Sequence, residues 1–151
     1  MDSNEVVNAF QNDSLGSDDA VGIAEKIKKG ELSASLVTQD AIERAKAVNP
    51  KLNAISVENF DLAQTNSEKP FSGFFQGVPT FIKDTDEVPG LPLYLGSRSL
   101  PGEPSDKYSK AAKQIIDTGL NCLGTTTTPE FGLTGTTESL RFGATCNPWN
   151  K

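Results

Sequence analysis

Apolar positions recur along this chain first at helical and then at strand spacing. Val21, Ile23, Ala24 and Ile27 mark one side of a helix expected from about Asp19 to Lys29, with Ser17 or Asp18 as its cap and Gly30 as its stop. Val37, Ala41, Ala45 and Val48 predict a second helix, capped by Ser33, stapled by Leu32 onto Val37, and ended by Asn49-Pro50. Leu52 to Val57 predicts a short strand, Asn59 to Asn66 a helical turn or two, and Gly73 to Gly77 a turn that exposes Phe74 and Phe75. The strongest strand pattern is Val78 to Ile82, entered through Pro79 and followed by Lys83-Asp84. Residues 84–104 hold four of the nine prolines (Pro89, Pro92, Pro101 and Pro104) and are expected to be mostly loop. Ser105 or Asp106 is then expected to start a helix with Ala111, Ala112, Ile115 and Ile116 as its buried stripe and Gly119 as its C-cap. A buried strand follows at Leu120 to Leu123. Helices alternating with strands at this spacing predict an α/β fold.

The two ends read differently. Residues 1–19 are rich in Asn, Asp and Ser around one apolar group, Val6, Val7 and Phe10, and predict a polar arm or a single docking turn. The other end stops at Trp149, Asn150 and Lys151, just after an Asn-Pro turn signal, with no terminal element to close a layer. Residues 20–151 are therefore expected to be part of a larger domain.

Composition narrows the chemistry. The 151 residues contain no histidine, so neither a Ser-His-Asp triad nor a Cys-His pair can be built, and any general base must be a carboxylate, lysine, tyrosine or cysteine. Leu, Ile, Val and Phe make up about 24% of the chain, above the range of disordered sequences. A net charge of −6 argues against nucleic acid as a partner and gives no reason to expect binding to anionic lipid. No apolar run approaches the ~20 residues of a membrane span, and the first residues lack a signal peptide's basic and apolar regions. Cys122 and Cys146 are expected to be free thiols in a reducing, cytoplasmic setting.

Several segments could carry chemistry. Lys83 is either an exposed partner of Asp84 at a strand end or a lysine aimed into a desolvated pocket, at the strand edge where α/β sheets place ligands. Gly124 and the threonines Thr125 to Thr128 have the hydroxyls of a phosphate loop without its second glycine and lysine. They are expected instead to cap a strand-to-helix turn, with Glu130 closing the cap. Asp84, Asp86 and Glu87 lack cation-loop spacing and are expected to be solvated. Trp149 is expected to be a packing anchor.

Taken in order, four segments together resemble the amidase signature family. They are Gly77-Val78-Pro79-Thr80-Phe81-Ile82-Lys83-Asp84, Leu95-Gly96-Ser97, Gly124-Thr125-Thr126-Thr127-Thr128-Pro129-Glu130-Phe131-Gly132, and Gly143-Ala144-Thr145-Cys146-Asn147-Pro148-Trp149-Asn150. The stretch from Glu31 to Ala54 is similar to that family's entry region. The resemblance implies the N-terminal part of a mixed-sheet fold with helices covering the sheet. It also implies hydrolysis of a small-molecule carboxylic amide by a serine, a second serine in a cis peptide, and a lysine at the position of Lys83. Gly132, Leu133, Thr134 and Gly135 would line the acyl side of the pocket; no cofactor or metal is implied. The family's two serines lie in a Gly-Ser-rich stretch shortly after the Asn-Pro-Trp motif and in a further stretch beyond it, with its oxyanion amides in the same region, and this chain is expected to end before either. Gly124-Thr125-Thr126-Thr127 also stands where the family usually has Gly-Lys-Thr-Asn. The alternative is a non-catalytic binding or interaction protein. Its unpaired sheet edge and apolar surface around Phe74, Phe75 and Phe81 would favour self-association.

Overall fold

Asp19 and Ser33 open the first two helices by the same device. In the computed structural model, which describes residues 6–149, the Asp19 carboxylate accepts the Gly22 N–H at 2.8 Å and starts α1 (Ala20–Lys28). The cap thus falls one or two residues after Ser17 and Asp18. Ser33 Oγ accepts the Leu36 N–H at 3.1 Å and starts α2 (Ala34–Leu52). α2 runs through Asn49-Pro50 rather than ending there. Pro50 offers no N–H, but Asn53, left-handed at φ 51°, donates its N–H to Asn49 O and closes the last turn. Asn49 Oδ1 then takes the amides of Ala54 and Ile55, so the chain leaves the helix directly into a strand.

That strand, β1 (Ile55–Glu58), is followed by α3 (Phe60–Ser67). β2 (Pro79–Lys83) and β3 (Asn121–Thr126) complete a three-stranded sheet in the order β1-β3-β2, with β1 antiparallel and β2 parallel to the central strand. β3 continues past the expected Leu123 because its irregular pairing carries it through Gly124. Gly124 has φ 146°, and a Cβ there would lie 2.2 Å from Val57 O, so the two backbones can approach only at glycine. The parallel crossover carries α4 (Lys110–Ile116), which starts later than expected. Ser105 is held by backbone bonds to Gly90 and Leu91, and Ser109 supplies the cap. Of the expected stripe on α4, Ala112 is buried and Ile116 half-buried, whereas Ala111 and Ile115 are exposed. After β3 come a 3₁₀ turn at Glu130–Gly132 and a small hairpin of β4 (Glu138–Ser139) and β5 (Gly143–Ala144).

Strand alternation sends neighbouring side chains to opposite faces, and the register shift between Ile55 and Val57 in β1 lets those two residues join different clusters. On one face Leu123, with Ile55 and Phe81, packs against Ile42 of α2 and Phe60 and Ala63 of α3. On the other, Ile82, Val57 and Cys122 pack against Val88, Leu91 and Ala112. Helices therefore cover both faces of a mixed sheet. Leu15, ahead of α1, joins a third cluster with Ile23, Ala24, Val37 and Val78. The arm docks through Arg44, which grips both Asp13 oxygens and has the Phe10 ring 5.6 Å away. Phe75 and Phe81, expected on the surface, are half-buried in these clusters; Phe74 is exposed.

Candidate active site

Lys83 is the last residue of β2 and pairs with Thr126 of β3. The alternation that buries Ile82 and Asp84 turns Lys83 outward, and its side chain is exposed. The two neighbours therefore do not form the exposed Lys-Asp pair that adjacency suggests. Asp84 N–H continues the ladder by donating to Thr126 O at 2.9 Å, while its side chain is fully buried.

The Asp84 carboxylate meets a loop ten residues further on. Leu95 and Gly96 are consecutive positive-φ residues, at 48° and 65°, and the turn they make brings the Tyr94 and Gly96 N–H groups to the carboxylate. Tyr94 N–H donates to Oδ1 at 2.9 Å and Gly96 N–H to Oδ2 at 3.0 Å. Burial pushes the Asp84 carboxyl above its ordinary value. The amides of Tyr94, Gly96 and Leu95 and the Arg141 charge offset only part of that shift. The sequence reading of Asp84 as a solvated acid is thus corrected. Asp86 is also engaged, accepting from the Ser109 hydroxyl at 2.6 Å.

The same loop is tied to the end of β3. A Cβ on Gly96 would stand 2.4 Å from Thr128 O, so glycine permits the contact. Leu95 O accepts the Phe131 N–H at 2.8 Å. Ser97 Oγ donates to Glu130 Oε1 at 2.5 Å, so Glu130 closes this link rather than a cap on the threonine run. Arg141 donates to Ser97 O and Leu100 O and stacks 3.9 Å over the Tyr94 ring. Threonine hydroxyls join other segments: Thr125 meets Ser56 at 2.8 Å, and Thr127 meets Thr145 at 2.7 Å. Thr125, standing where the resembled family has lysine, is buried.

Gly132, Leu133, Thr134 and Gly135 are all exposed. Thr134 lines an open pocket of about 290 Å³ with Pro129, Glu130, Thr136, Glu138, Ser139 and Leu140, and Lys83 is not on its walls. The fold thus brings one of these four residues into a concavity that Lys83 does not line. Trp149 is 78% exposed rather than packed into the fold as an anchor. Cys122 and Cys146 are free, and burial pushes the Cys122 thiol up. Among the described residues no cluster of His, Cys, Asp or Glu could hold a metal ion, and no helix is long and apolar enough to cross a membrane. Sequence reasoning missed Tyr94, Ser97 and Arg141 as partners of this loop. The Leu95-Gly96 pair was the available signal, but nothing in the pattern pointed it at Asp84.

The family model described as Amidase matches residues 36–151. The chain belongs to the amidase family. Among its amidase relatives, a putative amidase, AmiC, of Mycobacterium leprae is 40% identical over 144 residues, covering 95% of this chain and 31% of that protein. A 6-aminohexanoate-cyclic-dimer hydrolase of Paenarthrobacter ureafaciens is 36% identical over 87% of this chain and 27% of its own length. The amidase fold is matched in three dimensions as well. The structure of a 6-aminohexanoate cyclic dimer hydrolase with its substrate superposes with a TM-score of 0.79 at 36% identity, over 88% of this chain and 28% of that one. A bacterial aryl acylamidase of the amidase signature family gives 0.77 at 28% identity, over 88% of this chain and 30% of that one. The chain spans about a third of the length of the curated relatives it matches.

Proposed function

We propose that this chain is the N-terminal part of an enzyme that hydrolyses a small-molecule carboxylic amide, with Lys83 as its proton-transfer base. The observation that carries the reading is Lys83 itself. Its side chain has no polar partner among the described residues, and it is fixed at the C-terminal end of a parallel strand in a chain of the amidase family. The missing histidine supports it, because a lysine base needs none. In this reading Lys83 takes a proton through a bridging serine from the nucleophilic serine and returns it to the leaving amine. Both serines and the oxyanion amides belong to sequence beyond residue 151, which would also supply the desolvation that a lysine base requires. Gly132 to Gly135 would lie on the acyl side of the substrate. Relatives named as a cyclic-dimer hydrolase and an aryl acylamidase make linear and cyclic amides the substrate class to screen.

The test compares residues 1–151 with a protein extended through the sequence that follows Lys151. The extended protein is expected to release amine from simple amides, and the 151-residue chain to release none. Lys83→Ala in the extended protein is expected to lower kcat by about 10²–10⁴-fold, the range general acid–base groups contribute. Turnover by 1–151 alone, or a Lys83→Ala enzyme with full kcat, would overturn the reading. A second reading, a non-catalytic interaction protein, is favoured by the exposed Leu133, Leu140 and Trp149. A stop codon directly after Lys151 in the natural transcript would decide for it.

A further inference from the structure

We propose that Asp84 is a positioning residue for Lys83, holding the backbone from which the lysine side chain projects; this rests on the reading of Lys83 as the base. The residue type follows from what surrounds it. Tyr94 and Gly96 present two amides to one buried point, and each takes its own carboxylate oxygen. An ionised carboxylate is acceptor-only and offers two oxygens, whereas an asparagine in its place would turn an NH₂ group toward one of the amides. Asp84 is therefore shaped to its loop, and the loop is shaped to the sheet. Gly96 sits against the backbone at Thr128 and Pro129, Leu95 O holds Phe131, and Ser97 holds Glu130.

The consequence falls on Lys83. Its Cα is paired to Thr126, and the next N–H donates to Thr126 O, so β3 holds the strand end from one side. The Asp84 carboxylate pins the same strand end to the 94–97 loop, which is itself fixed to the segment after β3. Lys83 thus leaves a backbone restrained in two directions, at the last position before the chain turns into loop. A lysine side chain has four rotatable bonds, and its useful reach depends on where its Cα stands. Groups that move protons must be held within about 0.5 Å of the productive position. Misplacement by about 1 Å can cost about 100-fold in rate.

Two measurements test this, and they fail separately. In the 151-residue chain, lysine amines are reductively methylated with ¹³C-formaldehyde, and the Lys83 resonance is identified by its loss in Lys83→Arg. Asp84→Asn is expected to shift and broaden the Lys83 signal and leave the other lysines in place. Ser33→Ala, which weakens a distant helix cap, is expected to leave the Lys83 signal unchanged. Should Asp84→Asn not fold, Ser97→Ala loosens the same loop from its far side and is expected to move the Lys83 signal by a smaller amount. A Lys83 signal that stays put in whichever of these variants folds would overturn the proposal. In the extended protein, Asp84→Asn is expected to lower kcat about 100-fold with KM within about threefold, at temperatures where the variant is folded. Unchanged kcat, with a lowered melting temperature as the only effect, would make Asp84 merely structural. If the wild-type extended protein hydrolyses no amide, the functional reading fails, and the lysine resonance still decides whether Asp84 positions Lys83.

Discussion

Asp84 and Asp13 are both held by donors, yet their titrations oppose each other. Asp13 accepts from Arg44 Nε at 2.7 Å and Nη2 at 2.5 Å, and the Arg44 hydrogen bonds hold its carboxyl below the ordinary value. A depressed folded pKa contributes stability that is present above the unfolded value near 4 and lost as pH falls through the lower folded value. Asp84 is shifted upward by burial, so its sign is reversed. Its folded state holds the proton more tightly than the unfolded chain. That contribution is intact below about pH 4 and fades as pH rises through the raised value. Thermal melts between pH 3 and 7 should therefore show two slopes. The stability gap between wild type and Asp13→Asn is expected to narrow toward pH 3. Wild type is expected to lose stability relative to Asp84→Asn as pH rises above about 4. Parallel curves for all three proteins would refute the assignment. At this scale the sequence showed Lys83 and Asp84 as neighbours and Lys83 as a candidate base. It could not show that alternation separates them, nor that the donors to Asp84 lie ten residues away in a proline-rich loop.

Elements were legible where a local signal controls them and displaced where a distant contact does. Ser33 caps α2 as expected because the cap, the staple and the apolar spacing all lie within one stretch. Pro50 failed as a stop because Asn49 and Asn53 together close the turn that proline weakens. The start of α4 moved to Ser109 because Ser105 is bound to Gly90 and Leu91, partners that no local pattern reveals. The loop between β2 and α4 offers a test of what its glycines do. Gly90 has φ 82° and open space where a Cβ would stand, so Gly90→Ala is expected to cost only the left-handed penalty of about 1–2 kcal/mol. Gly96 has φ 65° and would also drive its Cβ to 2.4 Å from Thr128 O. Gly96→Ala is expected to cost more than about 3 kcal/mol, because backbone strain and overpacking add. Urea unfolding of the two variants checks this, and equal losses would mean that the contact at Thr128 relaxes freely.

At the scale of the whole molecule, the helix and strand order was readable and the pairing was not. Alternating patterns gave an α/β fold, but the order β1-β3-β2 depends on where a crossover lands, and sequence spacing does not record that. The apolar surface was misplaced for a related reason. Phe81 packs edge-on against Phe60, with ring centroids 6.5 Å apart, and Phe75 joins the α1 cluster, so long-range packing covers two residues that looked exposed. Phe74 stays exposed as expected, and further uncovered apolar side chains lie on the segment after β3: Phe131 at 48% exposure, Leu133 at 81%, Leu140 at 72% and Trp149 at 78%. Both β1 and β2 are also edge strands of a three-stranded sheet, with unpaired backbone groups along their outer sides. Apolar area and open edges favour association, whereas a net charge of −6 opposes it through mutual repulsion. Salt should decide between them, because it screens the repulsion and leaves the apolar attraction in place. Sedimentation of the 151-residue chain is expected to show association that grows with protein concentration and strengthens as salt is raised from 20 to about 500 mM. Replacing Leu133, Leu140 and Trp149 together by lysine is expected to return it to monomer. Persistent association of that triple variant would move the responsibility to the sheet edges, and a wild-type chain monomeric at high salt would show that neither surface is adhesive.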